Sequence, residues 1–333
     1  MYLLLNNLPL NIYDVTIFII NKKKEKKRIM NLIKPKKLKA GDTIGLISLS
    51  GNREQPEKTE RAKNYFRNKG FNVVVSDNSD KSFRYHAGTD EERAKAFNDF
   101  IKDDNIDAVV CTRGGYGVLR IISRIDYKSA AKNPKIICGY SDITILLLML
   151  LKKSNLVTFH GPMTDGDFSI DNISPITENS FFETLTGTAP LTFKTENEAL
   201  VKGEAKGILW GGNLVTVASM AGIDFIPNRK FIFFTEDVCE PDYKIDRALT
   251  QLFNITKFRN NICGMVIGEF TDSDRQMFTK DVIKEYAKKY NIPCSDGFYI
   301  SHGYNKYTLP IGVKCSFNSD ERTLKIIETP FCG

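Results

Sequence analysis

The sequence predicts an α/β protein in two parts: an N-terminal doubly wound parallel sheet, and a smaller mixed α/β domain with a β-barrel-like core. Three observations predict it. Short apolar, β-branched runs alternate with helical segments between Thr43 and Phe159, the pattern of strands joined by crossover helices. Four of the strand ends in that stretch carry serine-, glycine- or histidine-containing motifs, as expected where an open α/β sheet gathers its functional groups. A second, less regular set of strands and helices follows residue 206, and 333 residues with 42% apolar content suffice for about two cores.

Thr43 to Ser48 reads as the first strand, followed by a helix from Pro56 to Lys69 that Gly70 closes. Phe71 to Ser76 is the second strand. Thr89-Asp90-Glu91-Glu92 is a capping box that opens a helix to about Lys102. Asp107 to Cys111 and Lys135 to Cys138 are the third and fourth strands; a helix from Ile143 to Lys152 leads to the fifth, Leu156 to Phe159. Together these make a flavodoxin- or Rossmann-like sheet. Residues 165 to 205, with Pro175, Gly187 and Pro190, read as a linker holding one short helix near Glu178 to Leu185. Beyond it, strands are expected at Gly207 to Trp210, Phe231 to Thr235, Cys263 to Gly268, Gly312 to Phe317 and Thr323 to Ile327. Helices are expected near Leu214 to Ala221, Tyr243 to Phe253 and Thr279 to Tyr290. The domains are then 30–165, a linker 166–205 and 206–333, behind an extension 1–29.

The most informative residue is Ser141, in Gly139-Tyr140-Ser141-Asp142-Ile143, where an apolar strand turns into a helix. A hydroxyl there is pushed over the sheet edge, beside the free N–H groups that open a helix. Serine also serves commonly as an N-cap. Two other segments favour a nucleophile. Phe231-Ile232-Phe233-Phe234-Thr235-Glu236-Asp237 sets Glu236 at the tip of a buried strand, and Ile300-Ser301-His302-Gly303-Tyr304 sets one of only three histidines in a polar loop. Serine needs a base, imidazole can shuttle the proton, and a carboxylate on its far nitrogen fixes the tautomer. The order Ser, acid, His is that of α/β-hydrolases, but the second glycine of their G-x-S-x-G turn is missing.

Arg113-Gly114-Gly115-Tyr116-Gly117 lacks the third glycine of a dinucleotide loop and follows the third strand, which argues against a nucleotide site. Paired glycines let backbone approach a reacting carbonyl closely; the alternative is a tight turn. His160 has no partner at metal-ligand spacing and reads as structural or substrate-facing, His86 as a surface loop residue and Trp210 as core or pocket wall. The carboxylates Glu236, Asp237, Glu240 and Asp242 suit a hard cation by density, but several fall at the start of the next helix, where acids are favourable anyway. Neither metal nor cofactor is expected.

Six motifs in order, Arg113-Gly114-Gly115-Tyr116-Gly117, Gly139 to Thr144, His160-Gly161-Pro162-Met163, Gly211-Gly212-Asn213-Leu214, Glu236-Asp237-Val238 with Tyr243 to Arg247, and His302-Gly303 with Leu309-Pro310-Ile311-Gly312, resemble the LD-carboxypeptidases. This serine peptidase family, that of muramoyltetrapeptide carboxypeptidase, also contains the microcin C immunity peptidase. The resemblance runs from about Pro35 to Ile327. It implies Ser141 as nucleophile, Glu236 as acid and His302 as base, with an oxyanion hole from the N–H of Asp142 and of Gly114 or Gly115. It further implies Arg113, Tyr116, His160 and Asn213 as substrate-facing, a small muropeptide as substrate, a role in murein recycling, and a homodimer.

The net charge of +7 could suggest nucleic acid, but Lys22 to Arg28 and Lys34 to Lys39 carry most of it without interleaved aromatics, so a solvated tail is expected. No run of about 18 apolar residues spans a membrane. Met1 to Ile20 is apolar but broken by Asn6, Asn7, Pro9, Asn11 and Asp14, with its lysines on the wrong side for a signal peptide. Met30 is the expected natural start. Seven cysteines without a CxxC pair read as reduced thiols, and the location as cytoplasmic.

Overall fold

A computed structural model of the protein describes residues 31–52, 55–271 and 277–333; the expected extension 1–29 and start at Met30 lie outside them. Five short strands, β1 (Thr43–Ile47), β2 (Asn72–Val75), β3 (Ala108–Cys111), β4 (Ile136–Gly139) and β5 (Thr158–His160), pair in parallel in the order β2-β1-β3-β4-β5. Apart from β2, which lies at the sheet edge, these strands are almost wholly buried. The connections are α1 (Pro56–Asn68), α2 (Asp90–Lys102), α3 (Val118–Ile121), α4 (Tyr127–Lys132) and α5 (Thr144–Ser154). The capping box is formed, with the Thr89 hydroxyl accepting from the Glu92 amide and the Glu92 carboxylate from Thr89 N–H. In this strand order the winding reverses between β1 and β3, which opens a crevice beyond their carboxyl ends.

The segment expected as a linker carries more structure than its composition suggests: a π turn at Thr164–Phe168, α6 (Pro175–Thr186), β6 (Thr192–Lys194) and β7 (Ala199–Val201). After it come β8 (Glu204–Asn213), α7 (Leu214–Ser219), β9 (Phe231–Val238), α8 (Asp242–Asn254), α9 (Thr256–Asn261), β10 (Ile262–Thr271), α10 (Thr279–Lys289) and β11 (Cys294–Ser295). Then follow β12 (Leu309–Ile311), β13 (Lys314–Asn318) and β14 (Thr323–Ile326). All but β12 form one mixed sheet in the order β6-β14-β13-β8-β9-β10-β11-β7. Its two edge strands are separated by four residues of chain, so the sheet curls toward closure.

The strand expected from Gly312 to Phe317 is β13; before it the chain adds a strand that was not expected, β12. It crosses back and adds antiparallel to β5 as the sixth strand of the first sheet. Gly312 makes the break: its φ is +98°, and a Cβ there would lie 2.5 Å from Leu151 of α5. Helix α5 is apolar on every side and nearly all buried, as a helix enclosed by other elements must be. It packs on β8, where a Cβ on Gly212 would come within 2.4 Å of Thr144 and the Asn213 amide donates to the Thr144 hydroxyl at 3.3 Å. That contact fixes the end of β4, and with it Ser141, against the strand beside Glu236.

Candidate active site

At the end of β4 the chain makes one 3₁₀ turn, Ser141–Ile143, before α5, and Ser141 takes a φ of +61°. A left-handed conformation costs a residue with a Cβ on the order of 1–2 kcal/mol. Neighbouring contacts hold it there. The buried carboxylate of Asp142 accepts from the Ser50 hydroxyl at 2.6 Å and from the Val118 amide at 2.9 Å, tying the turn to the ends of β1 and β3. Burial raises its pKa against these hydrogen bonds. Arg93, wholly buried, donates to the carbonyls of Leu49 (2.6 Å) and Gly117 (2.9 Å) and to Asp90, clamping the same two loops from behind.

The glycine loop lies directly over the serine. A Cβ on Gly114 would stand 2.7 Å from both Cβ and Oγ of Ser141, so only glycine fits. Gly115 has φ +119° and abuts Gly51, whose amide donates to the Gly114 carbonyl at 3.1 Å. Ser141, Gly114, Gly115, Arg113, Tyr140 and His302 line one cavity of about 320 Å³.

His302 reaches this cavity from the loop after β11. Its Nδ1 lies 2.7 Å from Glu236 Oε2, and Glu236, near the end of β9, is fully buried. With Nδ1–H donated to the carboxylate, Nε2 is the free, basic nitrogen. Burial disfavours the imidazolium, but the charge and hydrogen bond of Glu236 outweigh it and raise the pKa above the ordinary value. Ser141 and His302 share the cavity without a hydrogen bond between them, a spacing common before substrate binds. The Tyr140 ring packs edge-on against the imidazole at 4.8 Å.

The neighbouring carboxylates have other partners. Asp237 accepts from Asn213 Nδ2 (2.8 Å) and from the amides of Val215 and Val238, and burial next to Glu236 pushes its pKa up to about 6. Glu240 pairs with Lys244, and Asp242 takes the amides of Met277 and Phe278. Asn213, expected to face substrate, is engaged with Asp237 and caps α7 through the Thr216 amide. His160 is buried with its ring 5.1 Å from that of Phe234, and desolvation by burial lowers its pKa to about 4. Tyr116 is exposed and leans on Tyr85 and His86. None of these three lines the cavity with Ser141. His86 is itself a correction, since it is only 3% exposed, packed behind Gly117. Trp210 is core.

Sequence reasoning missed Ser50, Arg93 and a buried ion pair, Lys306–Asp167 at 2.6 Å, in which Lys306 also sits over the Tyr140 ring. A Ser50 in Ser48-Leu49-Ser50-Gly51 was visible as part of a strand-end motif, but charged residues at unremarkable loop and helix positions give no sign that they are buried.

Two family models match the chain, the LD-carboxypeptidase N-terminal domain over residues 44–161 and the LD-carboxypeptidase C-terminal domain over residues 206–317. A Bacillus subtilis (strain 168) protein named probable murein peptide carboxypeptidase is 36% identical over 304 residues, spanning 88% of this chain and 94% of that protein. Among solved structures, MccF in complex with glutamyl sulfamoyl guanosine matches with a TM-score of 0.83 at 26% identity, covering 90% of this chain and 100% of that one. Muramoyltetrapeptide carboxypeptidase from Oxalobacter formigenes matches at 0.77 and 28% identity, covering 86% and 99%.

Proposed function

The chain belongs to the LD-carboxypeptidase family of serine peptidases, and from that membership we propose that it releases the terminal D-Ala from peptidoglycan tetrapeptides by an acyl-enzyme mechanism. One observation carries the reading: a serine in a strained turn, with Gly114 against its Oγ, shares a cavity with an imidazole that a buried glutamate orients. Ser141 Oγ attacks the carbonyl of the last peptide bond while His302 Nε2 takes its proton. The backbone N–H groups of Asp142 and of Gly114 or Gly115 hold the oxyanion, a contribution of about 10²–10³ in rate per donor. His302 then returns the proton to the D-Ala nitrogen, and Glu236 stabilises the imidazolium in between. Water enters, His302 deprotonates it, and the acyl-serine is hydrolysed. Arg113, which donates to the Asn52 carbonyl at 2.8 Å, and Lys58 line the cavity and are the cationic groups offered to the substrate there.

In this reading residues 30–165 carry the nucleophile and 206–333 the acid and base, and a cytoplasmic homodimer recycles murein fragments. The likeness to MccF favours one alternative, hydrolysis of aminoacyl or peptidyl nucleotides by the same groups. Comparing kcat/KM for a murein tetrapeptide and for a processed microcin analogue separates the two. Preference for the tetrapeptide is expected; cleavage of the nucleotide alone would move the activity to the immunity branch.

A further inference from the structure

The buried ion pair next to His302 has no part in the steps above. Lys306 Nζ donates to Asp167 Oδ1 at 2.6 Å and to the Gly303 carbonyl, and the two side chains are 6% and 4% exposed. The same ammonium lies 5.3 Å from the centroid of the Tyr140 ring, the ring that packs edge-on against His302. Asp167 stands in the π turn 164–168 and its other oxygen accepts the Met163 amide at 2.8 Å; Met163 and Gly166 both line the cavity with Ser141. One cation therefore joins the loop that carries His302 to the turn that lines the cavity with Ser141. Burying two charges costs several kcal/mol per ion before their attraction is counted, so such a pair is weak evidence for stability alone.

We propose that Asp167 and Lys306 are positioning residues for the base: Lys306 holds the Gly303 carbonyl on one side of His302 and the Tyr140 ring on the other, and Asp167 fixes Lys306. The inference rests on the reading of Ser141, His302 and Glu236 given above.

The charged and titratable groups that face His302 are Glu236 and Asp237 from β9, His160 from β5, Tyr140 from the end of β4, Lys306 and Tyr304 from its own loop with Asp167 behind Lys306, and Lys58, Arg113 and Asp165 from the rest of the cavity lining. Lys306 opposes protonation of His302, and Asp167 offsets that charge. Neutralising one or the other must then move the His302 titration in opposite directions, a pattern that loss of structure does not produce.

The test is an NMR titration of His302 in the full chain, where only three histidines contribute and His302→Gln assigns the signal. Lys306→Met should raise the midpoint by about half a pH unit or more, and Asp167→Asn should lower it. With tetrapeptide, kcat of Lys306→Met should fall about tenfold or more with KM within about threefold, and Lys306→Arg should recover most of the loss. Midpoints that stay in place, or move the same way in both variants, would overturn the proposal. Should Lys306→Met fail to fold, the sign of the Asp167→Asn shift decides alone. If the wild type does not cleave tetrapeptide, the functional reading fails while the titration, which needs no substrate, still judges the clamp.

Discussion

Ser141 pays for its reach with a backbone conformation that favours glycine, which separates activity from stability at one position. Ser141→Gly should raise the melting temperature, by the equivalent of about 1 kcal/mol, while hydrolysis disappears; a variant less stable than wild type would mean the turn is not strained. Gly114→Ala tests the neighbouring residue. Its methyl would stand 2.7 Å from Ser141 Oγ, and a displacement of about 1 Å costs roughly 10²-fold in rate, so kcat should fall at least that far with the fold intact. In the proposed mechanism His302 sets the pH profile. Because Glu236 holds its pKa above the ordinary value of about 6.5, and the base must be neutral to accept the serine proton, the acid limb of kcat/KM should lie above that value. Glu236→Gln removes the raising charge, so the limb should shift to lower pH as the rate drops; an unchanged limb would assign it to another group.

At the scale of elements, the strands of the first sheet were legible because each is an apolar, β-branched run bounded by turn residues, and α2 because Thr89 and Glu92 form their capping box as written. Removing that cap with Thr89→Ala should cost about 1 kcal/mol in denaturant unfolding. Strand β12 was not legible, since nothing local tells Leu309–Ile311 to leave the strands that follow it and join β5. The instruction lies in a tertiary contact, the close approach of Gly312 to Leu151. Gly312→Ala, with φ at +98° and its methyl 2.5 Å from Leu151, should destabilise by about 2 kcal/mol or more in denaturant unfolding. The site divides the same way. Ser141 and Glu236 stand out in the sequence because polar groups sit at the ends of apolar strands, and His302 because histidine is scarce in the chain. Arg93, Asp167 and Lys306 do not, because burial of a charge is decided by partners far off in the chain.

For the whole molecule, no single sheet holds all the residues to which the proposed mechanism assigns chemistry. The first sheet supplies Ser141 and the glycine loop, the second supplies Glu236, and the loop that leads from β11 to β12 carries His302 back between them. Packing of α5 against β8 sets the turn that holds Ser141 against the strand next to Glu236. Among the described residues no helix is long and apolar enough to cross a membrane. The most direct measurement is release of D-Ala from a murein tetrapeptide by the purified protein and by Ser141→Ala under identical conditions. The account predicts release by the wild type and a loss of about 10³-fold or more in the variant, whose fold is retained. Release that survives the substitution would contradict Ser141 as the nucleophile.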